Sequence, residues 1–219
     1  MGVYSEIKKL QKSAAEDDYI VFYFYRKISV FFTMFFVKLG VTANFVTVLS
    51  VFADLLAIYF MSINMWILAA IFVQVAIILD NSDGEVARYN LARTKNPKET
   101  HFGGYLDEVL GVLGFAIVIF FAGYFMGNWP VGLFAMFGLF MIIVSSTTAR
   151  IEFKNKEKIV KNFEKKLVGN LKGRVGFSNA SQRILVTIAV LFSSWIVLLI
   201  FGILAHAFWI LKFWVYRNQ

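Results

Sequence analysis

Residues 65–88 read MWILAAIFVQVAIILDNSDGEVAR: fifteen residues without a charge, then aspartates at 80 and 83. Carried on by Gly84, Val86 and Ala87, the run reaches the roughly 20 residues needed to cross the hydrocarbon core of a bilayer. An ionised carboxylate within hydrocarbon costs about 2.5–3.5 kcal/mol on insertion scales, so an aspartate in such a segment marks a functional position. A third, Asp107, opens the next apolar stretch. The three need a common explanation.

The rest of the chain supports the membrane reading. Of its 219 residues 59% are hydrophobic and 18% aromatic, with 25 Phe, and the mean hydropathy is +0.68, well above the balance of soluble domains. Cysteine is absent, which excludes disulfides, thiolate metal sites and thiol nucleophiles. A metal site would have to use oxygen ligands or the two histidines. The opening MGVYSEIKKLQKSAAEDD is polar and helix-forming rather than a basic, then apolar, cleavable leader, so the N-terminus is expected to stay in the cytoplasm.

Stretches without Lys or Arg run over 43–62, 65–87, 105–127, 130–149, 184–195 and 195–211. The last two form one run, too long for a single span and divisible at Ser193–Trp195, with the fifth helix starting near Asn179. Residues 28–37 are only about ten apolar positions after Arg26 and Lys27, which suits an interfacial helix better than a span. With six spans the loops SIN and GNWP and the break SSW lie outside, and none carries a Lys or Arg. All 22 Lys and Arg then fall on one side, as the positive-inside rule favours. The chain is thus expected to be an all-α integral membrane protein. Six transmembrane helices would follow an N-terminal interfacial amphipathic helix, with both termini cytoplasmic. It reads as a single membrane domain, 1–219, with 1–42 cytoplasmic or interfacial and 43–219 the bundle. The net charge of +8 sits in cytoplasmic loops such as 150–174, where it sets orientation and meets anionic headgroups. No nucleic-acid-binding fold accompanies it.

On a helix Asp80, Asp83 and Ala87 share one face near the cytoplasmic end of the second span. Asp107 starts the third span from the same side. Clustered carboxylates repel unless a proton or a hard cation joins them, and Mg2+ or Mn2+ completed by substrate phosphates suits oxygen-only ligands. Gly84 and Ala87 keep the helix surface low enough for a ligand to lie against it. Asp54 and Gln74, both mid-span, are expected to hydrogen-bond one another as interhelical glue.

These residues resemble the CDP-alcohol phosphotransferase (CDP-alcohol phosphatidyltransferase) family, whose signature runs D-x-x-D-G-x-x-A-R, a spacer, then G-x-x-x-D-x-x-x-D. Asp80, Asp83, Gly84, Ala87, Arg88, Gly103 and Asp107 stand in register with it. GVTANFVTVLS, residues 40–50, looks like the family's opening of the first span, with Asn44 and Thr47 kept and Ala43 where proline is common. Arg150 in TARIE and Arg183 in SQRILV are similar to basic positions of members whose acceptor carries a phosphate. The spacer between Arg88 and Gly103 is longer than usual, and the final Asp of the signature falls on Gly111.

The resemblance implies a membrane transferase of phospholipid biosynthesis. It would move a phosphoalcohol group from a CDP-alcohol, such as a CDP-lipid, to an acceptor hydroxyl, with release of CMP. It implies Mg2+ (or Mn2+) held by Asp80, Asp83 and Asp107, with Asp107 the catalytic carboxylate of this chain. Asn44, Thr47, Gly84, Ala87 and Arg88 would form the nucleotide site, with Gly103 and Gly111 beside it. Arg150 and Arg183 would bind the acceptor, which points to a polyol phosphate such as inositol phosphate or glycerol phosphate. A homodimer in the cell membrane is implied, its active site facing the cytoplasm and bound to no nucleic acid. His101 is a weak substitute for the missing base. The alternative is a member that lost turnover through Gly111 and acts as a CDP-alcohol-binding or partner subunit.

Overall fold

The computed structural model describes residues 2–12, 18–94, 98–152 and 177–217, with all side chains there except those of 94, 98–102, 149–152, 215 and 216. The described chain is helical. α1 (Val3–Leu10) precedes a π-helical turn (Val21–Tyr25) that runs directly into α2 (Arg26–Lys38). Then come α3 (Ala43–Ser62), α4 (Trp66–Thr94), α5 (Lys98–Phe125), α6 (Trp129–Glu152), α7 (Asn179–Leu191) and α8 (Trp195–Arg217).

Helix ends follow local chemistry. Thr42 accepts from the Phe45 amide at 3.4 Å and starts α3, and Ser178 accepts from the Ser181 amide at 3.3 Å and starts α7, as N-cap hydroxyls do. Four helices stop alike, with a residue at positive φ and two backward amide bonds: α2 at Gly40, α3 at Asn64, α5 at Gly127 and α7 at Ser193. At Ser193 the bonds are Ser193 N to Val190 O (3.0 Å) and Ser194 N to Ala189 O (2.8 Å), the Schellman pattern. The apolar run from 184 to 211 is therefore broken where the sequence places the break.

Among the described residues five helical segments are long and apolar enough to cross a membrane: Ala43–Ser62, Trp66–Arg93, Gly103–Phe125, Trp129–Thr148 and Trp195–Trp214. The fifth of the six expected spans, α7, is only 13 residues, about 20 Å at 1.5 Å per residue against a hydrocarbon core of about 30 Å. The early end is set by the turn at Ser193. α2 has the same length and likewise falls short of a span.

Packing relies on small residues. Ala57 of α3, Ala69 of α4, Ala122 of α5, Ala135 of α6 and Ala189 of α7 are all fully buried in one cluster, closed by Phe115, Phe201 and Leu198. At the α5–α6 crossing a methyl group on Gly123 would stand 2.5 Å from the backbone of Gly132, so the helices touch main chain to main chain, as small residues allow in bilayers. Gly123→Val is expected to destabilise the protein by about 1–3 kcal/mol, the usual cost of overpacking, read as a lower unfolding midpoint in detergent. Outward, α3 exposes Phe45, Phe52, Leu55 and Tyr59, a face suited to lipid.

Candidate active site

Three helix faces meet around the aspartates. α3 contributes Asn44, Thr47 and Asp54, spaced three and seven residues apart. α4 contributes Asp80, Asp83 and Ala87. α5 contributes Gly103, Asp107, Gly111 and Gly114, at helical spacings of four, four and three.

The pairs across these faces form successive levels. At the first, Asn44 lies so close to α5 that a Cβ on Gly103 would stand 2.8 Å from its Oδ1. At the second, the Thr47 hydroxyl donates to Asp83 Oδ2 at 2.7 Å, and Asp83 and Asp107 are near enough for their charges to act on one another. At the third, a Cβ on Gly111 would lie 3.1 Å from Asp80 Oδ1, so the position where the family signature has its last Asp faces Asp80 directly. At the floor, a Cβ on Gly114 would stand 2.7 Å from Asp54 Oδ2. There Arg183 Nη1 of α7 donates to Asp54 Oδ1 at 3.1 Å, with the guanidinium 4.5 Å from the Phe115 ring centre.

Asp54 therefore does not bond Gln74, contrary to the sequence expectation. A buried carboxylate is better matched by a guanidinium than by an amide. Gln74 instead takes the Tyr25 hydroxyl proton at 2.6 Å and donates to Thr187 at 2.6 Å. It is glue, but between the π-helical turn, α4 and α7. Burial pushes the Tyr25 phenol up from its ordinary value, which keeps it a donor.

The other predicted residues are placed as follows. Gly84 and Ala87 are half-buried on α4. Arg88 passes over Gly84, its Nη1 3.4 Å from where a Cβ would be, and its Nε donates to Leu10 O at 2.9 Å. Arg183 is 1% exposed and pairs with Asp54. Its charge and that of Arg26 also reach Asp80. The side chains of Arg150 and His101 lie outside the described residues, as does most of the 150–174 loop.

The chemistry of the donor set fits a hard cation. It is oxygen-only, and Asp83 Oδ1 is buried with no hydrogen-bond partner, a state that buried charged oxygens rarely hold unaided. As placed, no three carboxylate or imidazole side chains among the described residues are drawn together as closely as a bound ion requires.

Sequence reasoning missed Glu85. This carboxylate is 2% exposed on the far side of α4 from Asp83 and is surrounded by donors from α2. The signal was present as a polar stripe at helical spacing, from Arg26 to Ser29 and Thr33 in the otherwise apolar 28–37.

Comparison with known proteins places these residues in a lineage. Residues 40–217 match the family model described as CDP-alcohol phosphatidyltransferase, so the chain belongs to the CDP-alcohol phosphatidyltransferase family. Enzymes of this family generally depend on a divalent metal. A curated relative, the archaetidylinositol phosphate synthase of Pyrococcus horikoshii, is 32% identical over 117 residues. That match covers 52% of this chain and 58% of the relative, so less than two thirds of the relative's length is spanned.

Proposed function

We propose that this protein is a membrane transferase. It moves a phosphoalcohol group from a CDP-alcohol, of CDP-lipid type, to an acceptor hydroxyl with release of CMP, in phospholipid biosynthesis. The observation that carries the reading is Asp83 Oδ1, buried and unpartnered, on a carboxylate that feels the charges of Asp80 and Asp107, beside Gly84, Ala87 and Gly103. These three carboxylates would hold Mg2+ or Mn2+, which when bound offsets charge on the phosphoryl oxygens.

The residues divide the remaining work. Thr47 holds Asp83 from α3 through the 2.7 Å hydrogen bond, fixing which oxygen is left for the ligand. Asn44, Gly84, Ala87 and Arg88 line the nucleotide side. The acceptor oxygen forms its bond to the phosphorus carrying the alcohol group, the bond from that phosphorus to CMP breaks, and CMP leaves with the electron pair. The acceptor proton must go to a base, and Asp107, half-buried at the mouth, is the carboxylate placed to take it. Arg150 and Arg183 supply positive charge for an acceptor phosphate. The name of the Pyrococcus relative supports a polyol phosphate acceptor such as inositol phosphate.

In this reading α7 is a short sixth span, α2 lies at the interface, and both termini and the site face the cytoplasm of a cell membrane. The protein works as a homodimer.

The test is CMP release from a CDP-lipid by purified protein with Mg2+, across a panel of phosphorylated polyols, for the native chain and Gly111→Asp. The native chain is expected to release CMP. A Cβ at position 111 would already stand in tight contact, 3.1 Å, with Asp80 Oδ1, so an Asp there requires Asp80 to shift, and Gly111→Asp is expected to raise turnover by less than about tenfold. If only Gly111→Asp turns over, the chain is instead a CDP-alcohol-binding subunit. If neither binds CDP-alcohol nor CMP, the transferase reading is wrong.

A further inference from the structure

Glu85 is the second residue after Asp83, so on a helix it projects about 200° away from it. Its surroundings are fully built. Oε1 accepts from Arg26 Nη1 at 2.9 Å, Ser29 Oγ at 2.8 Å and Gln11 Nε2 at 2.8 Å, and Oε2 accepts from Thr33 Oγ1 at 2.6 Å. Arg26 Nη1 also reaches the Asn81 carbonyl at 3.3 Å, and Gln11 Nε2 the Arg26 carbonyl at 3.1 Å. Arg26 is 6% exposed, and Ser29 and Thr33 are fully buried. One carboxylate thus ties α4 to α2 and to the segment after α1.

We propose that Glu85 is a positioning residue for the aspartates: the N-terminal segment, acting through it, sets the rotation of α4 about its own axis. α4 is gripped on two nearly opposite faces at adjacent levels, by Thr47 on Asp83 and by α2 on Glu85. A helix held on one face only can roll about that contact. Held on both, it keeps Asp80 and Asp83 turned toward α5. A rotation of a few tens of degrees at the side-chain radius would carry the Asp83 oxygens by more than the tolerance of a metal ligand. Residues 3–12 and 18–38, all of which lie outside the family match at 40–217, therefore act on the aspartates through α4.

This inference rests on the reading of Asp80, Asp83 and Asp107 as a metal site, and its test does not need turnover. Mn2+ binding by purified protein, followed by the Mn2+ electron paramagnetic resonance signal, is measured with the thermal midpoint and CMP release. Two double variants each remove both charges of the buried pair. Arg26→Met/Glu85→Gln keeps an amide that bonds Ser29 and Thr33, whereas Arg26→Met/Glu85→Leu replaces the network with apolar packing, which buried ion pairs often tolerate in stability.

The Gln form is expected to hold Mn2+ within about threefold of the native chain. The Leu form is expected to keep a similar midpoint yet bind Mn2+ at least about tenfold more weakly, as when a supporting shell is lost. Its kcat falls with the metal affinity, and its KM for CDP-alcohol changes less. Native Mn2+ affinity in the Leu form, or equal losses in both forms, overturns the proposal. Should the Leu form not fold, Thr33→Val removes a single hydrogen bond, and an affinity unchanged in that folded variant overturns it too. A native chain that binds Mn2+ but releases no CMP overturns the transferase reading and leaves the Mn2+ comparison to decide this one. A native chain that does neither overturns both.

Discussion

Asp83→Asn releases CMP at least about 10²–10³-fold more slowly than the native chain, the scale on which removal of a preorganised charged group acts. The substitution keeps the shape of the side chain and an oxygen for the Thr47 hydroxyl, which donates to Asp83 at 2.7 Å. What it removes is the charge on the buried oxygen that has no partner in the protein. Folding should suffer little, since Asp83 stands beside Asp107 and Asp80, and losing one of three like charges relieves repulsion. The discriminating pattern is a native or raised thermal midpoint, lost Mg2+ dependence and lost turnover. A variant that kept more than about a tenth of native turnover would move the chemistry away from these carboxylates.

Asp54→Ala has the largest expected effect on stability, a loss of about 3–5 kcal/mol, as found when one partner of a buried ion pair is removed. Arg183 is 1% and Asp54 2% exposed, and Arg183 Nε is already without a partner, so deleting Asp54 leaves a buried guanidinium with no direct ion-pair partner among the described residues, compensated only by the Phe115 ring and the charge of Asp80. Asp54→Leu/Arg183→Met should recover most of the loss, because two apolar side chains then fill the space of the pair. The double variant also isolates the proposed acceptor role. If Arg183 serves a phosphate, KM for a phosphorylated polyol rises in this folded variant while KM for CDP-alcohol stays near native. An unchanged acceptor KM would restrict Arg183 to holding the bundle together.

The sequence showed the periodic part of the molecule and singled out Asp80, Asp83 and Asp107, and showed less of what depends on pairing across the bundle. Uncharged runs with polar breaks placed α3 to α6 closely. The break at Ser193 was visible because Ser-Ser-Trp interrupts a run too long for one helix. The bounds of α7, Asn179–Leu191, follow the expected start near Asn179 and the break at Ser193, but these 13 residues were still counted as a full span, since hydropathy reports what can enter a bilayer and not how far a helix reaches across it. The aspartates stood out because intramembrane charge is costly. Partner choice did not. Asp54 finds Arg183 at a separation of 129 residues, beyond any local pattern, and Gln74, nearer Asp54 in sequence, was the wrong guess. Glu85 escaped notice because it falls on a position that the signature leaves open.

The separation of 129 residues between Asp54 and Arg183 also has a meaning in time. A ribosome adding about 5–20 residues per second delivers α7 on the order of ten seconds after α3. Through that interval Asp54 is an acidic group in an apolar helix whose counter-charge has not yet been made, while the Glu85 contacts to α2, made within the first 85 residues, are already available. Synthesis therefore makes the α2 grip on α4 first and leaves the unfinished chain carrying an uncompensated acid until Arg183 arrives.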